Sequence, residues 1–409
     1  MDSLHSYHSH QMHRLFHSDF WHFEMAIWLH VLARTIVQIF VPILMLQLGY
    51  ELKMVIAYFL LYTLADLPMT FAMRKLIAFF GAKKVFILSS FSIISYFLLF
   101  SVLQPGQMAL LALLAFLAAL YDSSFWLSHL YLFERVNRRV STIRENTGWL
   151  YSAKRFADIL GPIVGAIVLL VFGKIMLIGL SIVIFALSLI PLFQMKDIHD
   201  RPMEDEAILP LRTFFKSKIE RRNHLSAAFF AMHRAAEVVI WPVVIFFAFQ
   251  SIQAVALIPI IVSLTVIIFS RPAGMLIGQG QRLIIALAAL PIFFIWILRL
   301  NLSGTPFLYL SILIVALSAL IISMSLDTSM LSRGQQLDSL SAVTYHNASA
   351  MVGQSIFYLI LFFSLNIFQT GFMLAAFAAL SLFALNVFSF FFSGEKRFEP
   401  APETSKSTL

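Results

Sequence analysis

Runs of about twenty apolar residues alternate with short polar interruptions along almost the whole chain. A helix needs about 20 such residues to cross about 30 Å of hydrocarbon. Marking the runs predicts spans at 25–48, 54–73, 85–103, 107–132, 148–172 and 175–194. A polar stretch follows, and then 225–249, 253–270, 283–299, 305–326, 346–365 and 370–393. These are numbered spans 1 to 12 in chain order. The marking is weakest between spans 10 and 11, where DTSMLSRGQQLDSLSAVTYHN is only mildly apolar. The pattern is six spans, a link and six spans: a tail at 1–24, a six-helix bundle at 25–194, a connector at 195–224, a second bundle at 225–393 and a tail at 394–409. The expected class is an all-α integral membrane protein of twelve transmembrane helices in two six-helix bundles.

Composition agrees. Of 409 residues, 60% are hydrophobic and only 12% charged, against roughly 25% charged in ordinary soluble domains. Mean hydropathy is +0.86, so the main partner is a lipid bilayer. The absence of cysteine excludes disulfides, thiolate metal sites and cysteine nucleophiles. The net charge of +8 changes meaning once the charges are placed. One set of alternate connections and the two tails hold 22 of the 29 lysines and arginines, the opposite connections only Lys53, Lys174 and Arg299. That asymmetry places both termini in the cytoplasm and removes the reason to invoke nucleic acid. The first 24 residues are polar, and the apolar run after them is too long for a signal-peptide core. Residues 208–222 of the connector read as an amphipathic helix on the cytoplasmic side. No phosphate-binding loop, HExxH or nucleophile elbow is present, so neither an enzyme nor an ATP-driven pump is indicated, and no cofactor is expected.

Charge inside the spans is the next feature. LARTIVQIFVPIL in span 1 carries Arg34 eight residues before Pro42, and MHRAAEVVIWPVVIFF in span 7 carries Arg234 eight before Pro242. A weaker echo links YDSSFWLSH around Asp122 in span 4 with LDTSMLSR around Asp327 at the inner end of span 10. The other intramembrane ionisable residues are Asp66 in span 2, Lys154, Arg155 and Asp158 in span 5, and Glu237 in span 7. Spans 3, 6 and 12 have none, and span 9 has only Arg299, at its outer end. A charge at the bilayer centre costs at least ~2.5–3.5 kcal/mol, so these residues are expected to face protein or water.

With two matching halves, the chain resembles the major facilitator superfamily of secondary transporters over nearly its full length. GPIVG, with Gly161, Pro162 and Gly165 in span 5, is similar to that family's fifth-helix motif, found mainly in antiporters. RKLIAFFGAKKVF keeps Gly81, Lys83 and Lys84 of the family's loop between spans 2 and 3. The loop departs from the pattern at Arg74 and Ala78, where the family has glycine and aspartate, and the charge relay of that loop loses its basis here. The resemblance implies that spans 1, 4, 7 and 10 line a central cavity, that 2, 5, 8 and 11 flank it, and that 3, 6, 9 and 12 lie outside. The charge distribution along this chain fits that arrangement.

The candidate site follows from helical spacing. His30, Arg34 and Gln38 are four apart and share one face of span 1. Arg34 is there to bind an anionic group, to pair with an acid or to lock two helices. Arg234 and Glu237 are close enough to pair within span 7, and Glu237 is a candidate proton carrier. Asp122, Trp126 and His129 share a face of span 4, with Asp122 either Arg34's partner or a second proton site. Trp241 and Gln354 add to the cavity. Asp66 and Asp327 read as interhelical or gating contacts, and Lys154, Arg155 and Asp158 as a gate cluster. The tail histidines His5, His8, His10, His13, His17 and His22 have helical spacings but no accompanying ligand pattern, and no metal site is assigned. The expected function is a monomeric secondary transporter of a small organic solute, proton-coupled and leaning to antiport or efflux, in a bacterial inner or other plasma membrane. The alternatives are an organic-anion exchanger built on Arg34 and Arg234, and a receptor that binds without translocating.

Overall fold

Apolar segments in lipid must satisfy their own backbone N–H and C=O groups, which leaves the α-helix as the form for isolated spans. The computed structural model describes residues 19–138, 143–195, 218–277, 281–302, 304–336 and 339–392. Within them, the side chains of 133–138 and 143–155 and a few more near segment ends lie outside the description. The histidine-rich tail before residue 19, the connector residues 196–217 and the tail after 392 lie outside it as well.

Every described element is helical. Among the described residues, ten helices are long and apolar enough to cross a membrane, as expected of a multi-pass integral membrane protein. One of them, Phe156–Gln194, has 39 residues, about twice what one crossing needs. It turns back at Gly173, whose φ of 80° only glycine adopts without strain, and so supplies spans 5 and 6. Span 11, Ser339–Phe363, is too polar in its first half to be among the ten, yet it is a 25-residue helix packed between its neighbours. The total is consistent with twelve crossings. The remaining spans are Asp19–Gln38 with Val41–Gln47 (span 1), Leu52–Phe80 (2), Ala82–Ser101 (3), Met108–Arg138 (4), Lys218–Ala235 through Trp241–Phe249 (7), Ile252–Ile277 (8), Gln281–Arg299 (9), Thr305–Gln336 (10) and Ile367–Phe392 (12).

The repeated Arg–Pro spacing marks a repeated break. A proline lacks its N–H and its ring crowds the carbonyl four residues back, which is Gln38 for Pro42 and Val238 for Pro242. Span 1 leaves the helix at Ile39 and Phe40. Span 7 absorbs the same disturbance as a π-helical turn, Ala236–Ile240, a form that is rare outside such insertions.

Two large apolar clusters form, one mainly from spans 1–6 and one mainly from spans 7–12. The halves meet along spans 2 and 11. Lys53 lies over the Phe362 ring, Phe59 stacks on Tyr358, Asn347 bonds Thr70, and Arg74 bonds Ser341. As one residue number rises the other falls by nearly the same amount, the register of an antiparallel pair running the full length of both helices. Val41–Gln47 of span 1 also packs against Trp241–Phe249 of span 7, and span 8 against the helix of spans 5 and 6.

The loop between spans 2 and 3 is explained by local chemistry. Gly81 ends span 2 at a φ of 86°. Lys83 Nζ donates to the carbonyls of Phe193 and Met195, capping the orphan acceptors at the end of span 6. Lys84 is exposed. Arg74 is buried, reaches the Ser341 hydroxyl and lies over the Tyr345 ring. Where the family pattern has a glycine, this chain has a contact between the halves.

Candidate solute-binding site

Two glycines set the position of Arg34. A Cβ on Gly161 would stand 2.0 Å from Thr35 Oγ1, and one on Gly165 would stand 2.2 Å from the Ile36 carbonyl oxygen. Span 5 can therefore lie directly on the backbone of span 1 only because those positions carry no side chain, the close approach that small residues permit between membrane helices. Thr35 Oγ1 also bonds the Ala157 carbonyl at 3.2 Å, and Ser181 Oγ donates to the Ala33 carbonyl at 2.6 Å. Span 1 is pinned on both sides of Arg34.

The Arg34 guanidinium sits 5.8 Å from the centre of the Phe125 ring and 5.6 Å from that of Trp126, within range for cation–π attraction. Asp122, Asp158, Tyr121 and Tyr62 are its electrostatic neighbours. Its Nε has no hydrogen-bond partner among the described residues. Asp122 accepts from Trp126 Nε1 at 3.1 Å and from the Tyr62 hydroxyl, and it feels Arg234 of the opposite half as well as Arg34. Arg34, Asp122 and Trp126 each keep part of their surface open, and Arg234 is exposed. Arg234 of span 7 acts on Asp122 of span 4 from the opposite half. Arg34 and Arg234, one from each bundle, thus both act on Asp122, and Trp126 and Tyr62 bond that carboxylate.

Other candidates lie elsewhere. His30 is fully buried, 3.1 Å from the Tyr121 hydroxyl, stacked on Phe125 at 4.5 Å and edge-on to Phe185 at 4.7 Å. It is one turn from Arg34, but spans 3, 4 and 6 cover that turn. His129 is likewise inside the N-terminal half, stacked on Phe125. Gln38 is exposed and Gln354 half-buried. Asp158 is half-buried within reach of Arg34, while the side chains of Lys154 and Arg155 lie outside the described residues. Asp327 is half-buried near the end of span 10 that pairs with span 7 through Arg333 and Glu220. No group of three or more His, Cys, Asp or Glu side chains able to hold a metal exists among the described residues.

Glu237 has a different partner from the one its spacing suggests. It forms an ion pair with Arg299 at the end of span 9. Arg299 is buried, its Nε donates to Ser311 Oγ at 3.0 Å, and its guanidinium lies 3.6 Å from the centre of the Trp241 ring and 4.4 Å from that of Trp296. Trp296 Nε1 in turn donates to His233 Nδ1 at 2.9 Å. Arg299 therefore belongs to the interior of the C-terminal half and not to an outer connection, and Trp241 is one wall of its cage. Sequence reasoning missed this cluster, as it missed Tyr62. Trp296 and Arg299, three apart at the end of span 9, were the available sign of the cluster. Tyr62, one turn before Asp66, was the sign of the other.

No family model matches the sequence, and no curated protein matches it. Solved structures do. A crystal structure of a mutant of the nucleoside transporter NupG superposes with a TM-score of 0.71 at 11% identity, over 90% of this chain and 99% of that one. The peptide transporter POT in complex with sulfate gives 0.70 at 14% identity over 90% and 93%. A POT mutant in complex with alafosfalin gives 0.64 at 15% over 91% and 93%. At such identities the likeness concerns architecture alone, and on that ground the chain shares the fold of these solved transporters.

Proposed function

We propose that this chain is a proton-coupled secondary transporter of a small organic solute, working by alternating access and leaning to antiport or efflux. The observation that carries the reading is the Asp122 carboxylate lying in the electrostatic field of arginines from both halves. A solute anion and Asp122 compete for the same two guanidiniums, and a proton on Asp122 removes it from the competition. Glu237 is engaged with Arg299 inside its own bundle, which makes Asp122 the better proton carrier of the two. The packing of spans 1 and 7 beyond Arg34 and Arg234 supports a site closed on one side. By the charge asymmetry of the connections, that side is the outer one.

The fold neighbours are described as nucleoside and peptide transporters. Two guanidiniums, one carboxylate and an indole suit a solute that carries an anionic group and a flat or apolar portion. Exchange of organic anions is the second reading, favoured by the Arg34 Nε that no described side chain occupies. The test is a thermal-shift screen of the purified protein against organic phosphates, nucleosides, dipeptides, sugars and cationic amphiphiles, repeated with Arg34→Gln. An anionic ligand should stabilise the wild type and lose its effect in the variant. Stabilisation by cations or sugars that Arg34→Gln leaves intact would move the solute site away from Arg34.

A further inference from the structure

Span 2 holds a second buried carboxylate close to this site. Asp66 has no exposed surface, and the groups around it are arranged in a chain. Ser123 Oγ of span 4 donates to the Asp66 carboxylate. The Thr70 hydroxyl, one turn along span 2, is 3.4 Å from Ser123 Oγ. Asn347 Nδ2 of span 11 donates to Thr70 Oγ1 at 2.9 Å. Donors aimed along such a chain favour the charged form of a carboxylate over the state without them. Ser123 and Thr70 travel with Asp66 in the N-terminal half. Asn347 belongs to the opposite half.

Among the described residues, no cation is a main influence on Asp66. From span 4 the facing group is Asp122, a like charge. On span 2 itself Tyr62 lies between the two carboxylates, bonded to Asp122, while Arg74, two turns on, is directed to Ser341. Span 11 contributes Tyr345 and His346 beside Asn347, and the Tyr345 ring lies under Arg74. Span 3 presents Tyr96, bonded to Tyr58. Two carboxylates so placed in a poorly polarisable interior resist ionising together, and hydrogen-bond donors decide which one keeps the charge.

We infer that Asp66 is a second proton site and that Asn347 makes its proton affinity depend on how the two halves are arranged. With span 11 in place, the Asn347–Thr70–Ser123 chain donates toward Asp66 and weakens its hold on a proton. When span 11 withdraws, the amide leaves, and Asp66 accepts one proton from water to form its O–H bond. The neutral acid no longer repels Asp122, which is then free to hold its charge against Arg34 and Arg234. The reverse movement returns the proton to water. The consequence for solute movement rests on the transporter reading above. The hydrogen-bond switch itself does not.

The experiment is pH-difference infrared spectroscopy of the purified full chain in lipid nanodiscs, following the C=O stretch of protonated carboxyl groups without any solute. One titrating band should vanish in Asp66→Asn. In Asn347→Ala that band should persist to higher pH, because a carboxylate deprived of a donor binds its proton more tightly. A shift of about one pH unit, tenfold in proton affinity, is expected. Thr70→Val, which cuts the same chain within one half, should shift it in the same direction and serves if Asn347→Ala does not fold. A spectrum unchanged by Asp66→Asn, or a titration in both other variants that coincides with the wild type, would overturn the inference. Nanodisc shifts as expected, with no proton-driven solute flux in liposomes, would remove the transporter reading and leave the switch standing. Flux with no shift would do the opposite.

Discussion

In the N-terminal half, Arg34 looks out from span 1 toward the space between the halves, where Asp122 and Arg234 share its field. In the C-terminal half, Arg299 is shut inside the bundle with Glu237, between two indole rings and a serine hydroxyl. Both arrangements hold an arginine and an acid in a span. A buried pair is held by its own bundle whatever the other half does, so it stabilises one conformation of one half. A pair at the seam feels the other half, so its energy changes when the halves move. The repeat puts Arg34 and Arg234 at equivalent places, and the acids beside them break the equivalence.

That contrast can be broken most severely at the buried pair. Glu237→Gln leaves a guanidinium in the interior without its counter-charge, a loss of about 3–5 kcal/mol. The unfolding temperature of the purified protein should fall sharply, and Glu237→Gln combined with Arg299→Met should recover much of it. A single variant as stable as the wild type would show that the pair is not structural. Next come the helix contacts that hold each half together. A Cβ on Gly353 would stand 2.0 Å from the Ala228 carbonyl oxygen, joining span 11 to span 7 as Gly165 joins span 5 to span 1. Alanine at Gly165 or Gly353 meets rigid backbone and should cost about 1–3 kcal/mol, as overpacking does. At Gly161 a Cβ would meet the Thr35 hydroxyl and also its Cβ and backbone at 2.8 and 3.0 Å, so a similar fall in unfolding temperature is expected there.

At the seam the prediction reverses. Arg34→Gln should cost less stability than Glu237→Gln, because part of Arg34 is open and Trp126 and Tyr62 still bond Asp122, while abolishing ligand-induced stabilisation. The smallest effect compares two neighbouring lysines. Lys83→Ala removes the cap on span 6 and should cost about 0.3–1 kcal/mol, whereas Lys84→Ala should leave the unfolding curve unchanged.

The spans were legible because a bilayer allows a chain few choices, and twenty apolar residues in lipid become a helix. The Arg34–Arg234 equivalence was legible because the repeat preserved the distance to a proline. The surroundings of each charge were not, since periodicity fixes a residue's face but not what covers it. His30 shares a face with Arg34 and ends in an aromatic box because spans 3, 4 and 6 close over that turn. Arg299 read as the last residue of a span, and only the packing of spans 7, 9 and 10 together turns it inward. The π-helical turn at Ala236–Ile240 depends on the backbone hydrogen-bond register after Pro242 is accommodated, and residue types do not specify that register. Gly353 belongs to no motif, and its close contact with Ala228 follows from how two helices cross.

The most direct test of the account is proton movement in sealed liposomes containing the protein and a pH-sensitive dye inside, with a pH gradient imposed and the best ligand of the thermal screen added. The wild type should move protons only when that solute is present, and Arg34→Gln should move none while remaining folded. Solute-coupled proton movement that survives Arg34→Gln, or none in the wild type with any solute that binds it, would contradict a solute site at Arg34, Asp122 and Arg234.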